Sequence, residues 1–314
     1  MMMWNDKPYH SLDYELKQRF GEKVWRLSLN AGMSCPNRDG RIGTMGCSFC
    51  SEGGSGDFAG EAAQTITQQL TAQAALLAGK RNAGKFIAYF QAYTNTYAPV
   101  EYLRRVYFEA AAFPGVVGIS IATRPDCLPP EVLSLLGELN EHLPVWVELG
   151  LQTMHEESAA LFRRGYTLPM YEEAVRALRE LGIEVITHAI LGLPGETTGQ
   201  ILQTMDYLSS QDIQGVKLQL LHVLKNTDLG RQYLSEPFHI LTREEYIDLV
   251  IRCLEHLRRD IVIHRLTGDG PADLLIAPLW SQRKRDVLNG LHRELKVRQT
   301  WQGRLVTANG KTPD

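Results

Sequence analysis

The stretch Cys35-Pro36-Asn37-Arg38-Asp39-Gly40-Arg41-Ile42-Gly43-Thr44-Met45-Gly46-Cys47-Ser48-Phe49-Cys50 carries three of the five cysteines in the chain. Its spacing is C-x11-C-x2-C, with Pro36, Gly40, Gly43 and Gly46 between the first thiol and the second. A loop this flexible can bring three thiolates to one point. Iron–sulfur clusters are held by Cys thiolates, as a rule four, and three would leave one iron open to another ligand. Zinc is the rival. A structural zinc site takes four protein ligands, and His10 and Cys127, the nearest further donors, lie well outside the stretch. A three-ligand catalytic zinc and unliganded core thiols complete the alternatives.

Working outward, residues 24–30 (Val-Trp-Arg-Leu-Ser-Leu-Asn) alternate apolar and polar and read as a first strand that feeds the cysteine loop. Upstream lies a polar segment with one helix over 11–20. Downstream, 51–60 is rich in Gly and Ser and reads as loop, and 62–80 is an Ala- and Gln-rich helix. Strand and helix patterns then alternate: strands over 86–90, 116–121, 145–149, 185–191, 216–223 and 261–264, and helices over 100–112, from Pro129-Pro130, over 155–163, 170–181 and 198–210. A capping box, Thr242-x-x-Glu245, opens a helix to about 258, and the last long helix covers 281–295. The polar tail after Gln302 is expected to be loose.

Seven strands alternating with helices predict an α/β fold with a parallel sheet and helices outside. No G-x-G-x-x-G follows the first strand, so a full or partial (β/α) barrel with a C-terminal extension fits better than a dinucleotide-binding sheet. The expected organisation is an N-terminal extension (1–23), a barrel core (24–240), and a C-terminal subdomain (241–314) that completes the barrel and carries a basic helix. In such barrels the chemistry sits at the C-terminal strand ends, where the cysteine loop leaves the first strand.

The totals narrow the class. The chain has 314 residues, 44% hydrophobic and 22% charged, with net charge −3 and pI about 6.3. That is ordinary globular composition without a global basic field for nucleic acid. Five cysteines, three of them in one loop, are no secreted disulfide framework and suit a reducing, cytoplasmic setting. There is no apolar signal region at the start and no run of about 18 apolar residues, so neither a secretory leader nor a membrane partner is expected.

Polar residues collect where the strands end: Gln91 to Tyr97, Thr123-Arg124-Pro125-Asp126, Glu148 and Gln152, His188 with Gly192-Leu193-Pro194-Gly195-Glu196, His222 to Lys225, and His264 to Asp269. Glu148 is a carboxylate on an apolar strand and needs a partner, either a ligand or an ion pair with Arg124. Thr94, Asn95 and Thr96 either cap a turn or meet a ligand. His188, His222 and His264 read as core or substrate-contact histidines, with a three-His metal site as the alternative. Cys253 falls at helical spacing among Leu249, Val250, Leu254 and Leu257, hence a core thiol. Cys127 is read as a buried thiol, with a cavity-facing position as the alternative. Between 283 and 304 stand seven Lys or Arg (Arg283, Lys284, Arg285, Arg293, Lys296, Arg298, Arg304), flanked by Trp280 and Trp301. Such a segment either tracks a phosphate backbone or forms an ordinary solvated helix face.

On these motifs the chain resembles the radical S-adenosylmethionine (SAM) superfamily. The long cysteine spacing, Thr123-Arg124-Pro125-Asp126 and Glu148-Leu149-Gly150-Leu151-Gln152 are similar to the branch of the Elongator catalytic subunit and oxygen-independent coproporphyrinogen oxidase. A closer resemblance is to the YhcC/YtqA-like family, carried by Ser34-Cys35-Pro36-Asn37-Arg38-Asp39-Gly40, Phe90-Gln91-Ala92-Tyr93-Thr94-Asn95-Thr96 and His264-Arg265-Leu266-Thr267-Gly268-Asp269-Gly270-Pro271. It spans roughly residues 20–302.

The resemblance implies that Cys35, Cys47 and Cys50 hold a [4Fe-4S] cluster whose fourth iron is chelated by SAM. Reductive cleavage of SAM would then give a 5′-deoxyadenosyl radical that takes a hydrogen atom from substrate. It implies SAM contacts at Phe49 near the adenine, at Thr94, Thr123, Glu148 and Gln152, and at Arg164 toward the SAM carboxylate. Thr94 stands where the family often has a Gly-Gly-Glu segment. The resemblance further implies a reductant such as flavodoxin or ferredoxin, and tRNA as partner, with a carboxymethylaminomethyl side chain on the wobble uridine remodelled toward an aminomethyl one. No stretch resembles the acetyltransferase module of the Elongator subunit. The competing functional readings are a radical SAM enzyme on a small molecule such as a porphyrinogen, and a zinc- or cluster-containing nucleic-acid-binding protein without catalysis.

Overall fold

A computed structural model describes residues 2–306, apart from 55, 57, 58, 78, 80–83 and 269. Seven strands form one sheet: β1 (Val24–Leu29), β2 (Lys85–Phe90), β3 (Val116–Thr123), β4 (Val145–Gln152), β5 (Glu184–Leu191), β6 (Gly215–Leu220) and β8 (Val262–Arg265). They lie in chain order, and every neighbouring pair is parallel. Parallel neighbours need a crossover between them. The crossovers contain α2 (Ile66–Ala75), α3 (Val100–Ala111), α4 (Pro130–His142), α5 (Glu156–Leu161), α6 (Leu168–Glu180), α7 (Thr198–Ser210), and between β6 and β8 α8 (Asp228–Ser235) and α9 (Arg243–His256).

The sheet is curled. β2 and β6 are four strands apart, which in a flat sheet means about 19 Å at ~4.8 Å per strand. Yet the Lys217 ammonium of β6 donates to the Tyr89 hydroxyl of β2 at 3.1 Å. The side chains therefore meet across the inside of a half-barrel whose edges are β1 and β8. The outward strand faces and the helices' apolar stripes build the main core, which includes Phe90, Ile119, Val147, Val185 and Leu218 with Tyr107, Leu136, Tyr171, Met205 and Leu254.

The N-terminal end of the half-barrel is plugged. Leu16 of α1 (Leu12–Phe20) packs with Ile87, Trp146 and Ile186. A Cβ on Gly118 would lie 2.3 Å from the Trp146 ring, so this position on β3 must stay bare for the plug to fit. The segment before α1 is tied to β8 by Ile263 N–H donating to the His10 carbonyl at 2.7 Å. Buried Gln302 then joins the two chain ends: its N–H donates to the Pro8 carbonyl at 2.9 Å, and its side chain takes the His10 N–H at 2.8 Å. The tail expected to be loose is thus held at its start, since Gly303 and Leu305 also donate to the carbonyls of Leu254 and Glu255.

Local signals set the helix ends. Thr65, Thr197 and Thr242 each form a reciprocal capping box with the Gln or Glu three residues on. This starts α2 at Ile66 instead of 62, and the helix ends at Ala75, short of the expected Lys80, because the chain turns at Leu76 and Leu77; residues 78 and 80 lie outside the described residues. The last helix, α10 (Lys284–Val297), begins later than expected because a 3₁₀ turn, Leu279–Gln282, precedes it. The expected strand 216–223 is broken into β6 and β7 (Val223–Leu224). β7 leaves the barrel and pairs antiparallel with β9 (Leu275–Ala277). Helix α8 and this small ribbon have no periodic signature long enough to read from sequence.

Candidate functional site

The loop leaving β1 crosses the C-terminal mouth of the half-barrel, and backbone bonds wind it tightly. Arg38 and Asp39 N–H donate to the Cys35 carbonyl, Ile42 N–H to Pro36, Gly46 N–H to Asn37, and Cys50 N–H to Cys47. Two side chains then fasten it. The Arg38 guanidinium donates to the carbonyls of Ser51 (2.6 Å) and Cys50 (3.2 Å). The buried Asn37 amide donates to the carbonyls of Arg163 (2.7 Å) and Arg164 (3.3 Å) and reaches the Cys47 sulfur at 3.5 Å. Ser48 N–H donates to the Phe162 carbonyl, and Leu229 N–H donates to the Ser48 carbonyl, so the loop is also sewn to α5 and α8.

Cys35, Cys47 and Cys50 are half-buried, are not joined in disulfides and line one cavity of about 490 Å³. The Cys47 thiol is drawn down to about 6. The first cause is the hydrogen bond from Cys50; burial opposes it; Arg124, Asn37 and Arg38 add to it. A thiolate is the form that ligates metal, so this environment fits a cluster. Among the described residues no group of three or more His, Cys, Asp or Glu is gathered tightly enough for a single metal ion. The three thiols rim that cavity. Burial and Asp126 instead push Cys127 up to about 12, and Cys253, buried in the core, is likewise raised by burial. Both match the expectation of inert buried thiols.

The other expected residues fall as follows. Phe49, half-buried against Phe162 at 6.2 Å between centroids, lines the cavity. So do Thr94, Thr123 and Gln152. Asn95 and Thr96 are turn supports: the Asn95 amide donates to the carbonyls of Phe90 and Ala122, and Thr96 bonds Thr123 at 2.6 Å and the Cys127 carbonyl at 2.5 Å. Gln152 takes a left-handed backbone, φ +63°, at the end of β4. The Tyr166 hydroxyl steadies it by contacting the Gly150 carbonyl (2.5 Å) and the Gln152 side-chain oxygen (3.2 Å). A non-glycine residue held in this region is strained, a frequent mark of a binding site. Arg164 is buried with its guanidinium on the carbonyls of Tyr166, Leu151 and Thr153 and on the Glu156 carboxylate. Four of its five N–H donors are thereby occupied.

Glu148 does not pair with Arg124. Arg124 forks onto Asp126 at 2.9 and 2.7 Å, because the turn Thr123-Arg124-Pro125-Asp126 puts that carboxylate beside it. Glu148 instead points inward and meets Lys217 and the His188 Nε2 (2.8 Å), while Ser120 donates to its other oxygen at 2.7 Å. Burial opposes ionisation of Glu148, but Lys217 and then His188 override it and hold the carboxyl well below its usual range. His188 is pressed down to about 4 by burial and by Lys217. It is neutral near pH 7, with Nε2–H facing Glu148 and Nδ1 accepting from the Gln219 amide at 3.3 Å. The histidines 188, 222 and 264 form no common metal site.

Lys217, Tyr89 and Ser120 were not foreseen as partners of Glu148. The signal was present in part: Lys217 and Gln219 alternate with apolar residues on β6. Their parity puts them inside the barrel, but nothing in the sequence states which strand faces which across it.

Residues 38–208 match the Radical SAM superfamily, and residues 213–297 match the Radical_SAM C-terminal domain. The chain is 46% identical to the YtqA protein of Bacillus subtilis, over 95% of this chain and 93% of that one. It is 37% identical to the YhcC protein of Escherichia coli K12, over 86% of each. Among solved structures it is similar in fold to Elp3 of the archaeon Methanocaldococcus infernus, with a TM-score of 0.68, 16% identity, and 93% of this chain and 68% of that one covered. With its three-thiol cavity at the mouth of a parallel half-barrel, the chain belongs to the radical SAM superfamily, whose members bind a [4Fe-4S] cluster and S-adenosylmethionine.

Proposed function

We propose that this radical SAM enzyme acts on tRNA and remodels a carboxymethylaminomethyl side chain on the wobble uridine toward an aminomethyl one. The likeness in motifs and fold to the Elongator catalytic subunit supports the reading, and the observation that carries it is a set of exposed basic residues on and beside the last helix. Of the basic residues there, Arg293, Arg298 and Arg304 pair with Glu294, Asp248 and Glu255. Arg283, Arg285 and Lys296 are exposed and have no ion pair among the described residues. Exposed cations without an ion pair suit phosphate contacts, which make binding salt-dependent.

Cys35, Cys47 and Cys50 hold the cluster in this reading, and Phe49, Thr94, Thr123 and Gln152 wall the SAM site. When bound, cluster and SAM supply the hydrogen-abstracting radical, given an electron from a reductant such as flavodoxin or ferredoxin. The chain's own work is to ligate, orient and exclude water. Arg164 braces the strand-four end and has a single N–H left for the SAM carboxylate. Glu148 acts at one remove, by fixing the orientation and tautomer of His188. A cytoplasmic location agrees with reduced thiols, and no helix among the described residues is long and apolar enough to cross a membrane.

The test is the modified-nucleoside profile of tRNA from a deletion strain. Accumulated 5-carboxymethylaminomethyluridine with depleted aminomethyl-derived nucleosides is expected. An unchanged wobble-uridine profile contradicts the proposal and points to a small-molecule substrate.

A further inference from the structure

Among the described residues four arginines line the cavity, Arg38, Arg124, Arg164 and Arg265, against one carboxylate, Glu148. Three of the guanidiniums are committed. Arg38 holds the carbonyls of Cys50 and Ser51, Arg124 forks onto Asp126, and Arg164 holds three carbonyls and Glu156. Arg265 differs. It ends β8 beside Lys217 of β6, half-buried, and its one hydrogen bond among the described residues is a long contact of 3.4 Å to the Gln219 side-chain oxygen.

Its surroundings are rich in positive charge. Glu148 is spent on Lys217, and Arg26 lies over the Tyr89 ring at 4.8 Å, so among the described residues Arg26, Lys217 and Arg265 face a single carboxylate inside the barrel. A half-buried guanidinium without an anion is unfavourable, and its planar fork matches a carboxylate. Gln219 bridges from Arg265 to His188, and so on to Glu148, which fixes the floor on which a ligand would sit.

We infer that Arg265, positioned by Gln219, is a carboxylate receptor of this cavity, distinct from the one remaining N–H of Arg164. Two ligands offer that group: the amino-acid end of SAM, and the carboxymethylamino arm of a substrate. The second identification rests on the proposed function.

The test compares reconstituted wild-type protein with Arg265→Gln and Arg265→Lys, with matching iron content and circular dichroism as the fold control. Equilibrium dialysis reads SAM affinity. Ligand-observed NMR on the SAM-loaded protein reads N-methylglycine, a fragment with the carboxylate, against dimethylamine, the same fragment without it. N-methylglycine binding that weakens about tenfold or more in Arg265→Gln and less in Arg265→Lys, with SAM affinity kept within about twofold, supports a receptor for the substrate arm. A tenfold loss of SAM affinity instead supports the receptor and assigns it to SAM. No change in either ligand overturns the inference. Turnover of wobble-modified tRNA by the wild type is scored separately, so failure of the proposed substrate does not mimic failure of the receptor.

Discussion

Glu148 on β4 and Lys217 on β6 form an ion pair inside the half-barrel, with side chains 0% and 1% exposed. Two strands separate in the sheet order are joined through charge at the floor of the cavity. Removing one partner of such a pair strands the other charge in a low-dielectric interior. Lys217→Met is therefore expected to lower stability by about 3–5 kcal/mol, read by anaerobic urea denaturation. The double variant with Glu148→Gln should recover part of the loss, because neither charge then remains. A single-variant loss under about 1 kcal/mol would show that the pair is screened.

His188 gives a pH signature. Its folded-state value of about 4 lies below the ordinary 6.5, so the unfolded chain binds more protons between those limits. Stability therefore rises with pH across that window, is fully present above about 6.5, and is lost as pH falls toward 4. The shift corresponds to about 3 kcal/mol at most. His188→Gln should flatten the pH 4–6.5 part of the stability curve. An unaltered slope would mean that His188 is not the group responsible.

Asn37 fastens the cysteine loop to the turn after α5 through two carbonyls and the Cys47 sulfur. Asn37→Ala takes the close donor from the Arg163 carbonyl, while the Arg164 carbonyl keeps the Arg124 guanidinium, at about 1–3 kcal/mol of local stability. The expected result is faster iron loss to a chelator with little change in the global unfolding midpoint. Iron retention equal to wild type would remove Asn37 from the account.

The cysteines should divide cleanly. Cys35→Ala, Cys47→Ala and Cys50→Ala are expected to lose most of the iron after reconstitution. Cys127→Ala and Cys253→Ala should retain it, since burial holds both thiols in their neutral form. Loss of iron in Cys127→Ala would make that thiol a ligand.

Much of this site was legible because its residues sit on strand ends that the sequence marks plainly. Strand periodicity placed Glu148 and Gln152 on β4, and the cysteine spacing suggested a cluster before any geometry was known. What was hidden was partnership across the barrel. Arg124 was a reasonable partner for Glu148 from sequence, yet Asp126 is two residues away from it in a turn and takes it first. Lys217 reaches Glu148 only because the sheet curls, and curling is a property of the whole strand set. The β7–β9 ribbon stayed invisible because strands of two and three residues carry no period.

The most direct test is anaerobic reconstitution followed by iron analysis and assay of SAM cleavage under a strong reductant. The account predicts a brown protein with about four irons per chain that forms 5′-deoxyadenosine from SAM. A colourless protein with one zinc per chain and no 5′-deoxyadenosine would contradict it.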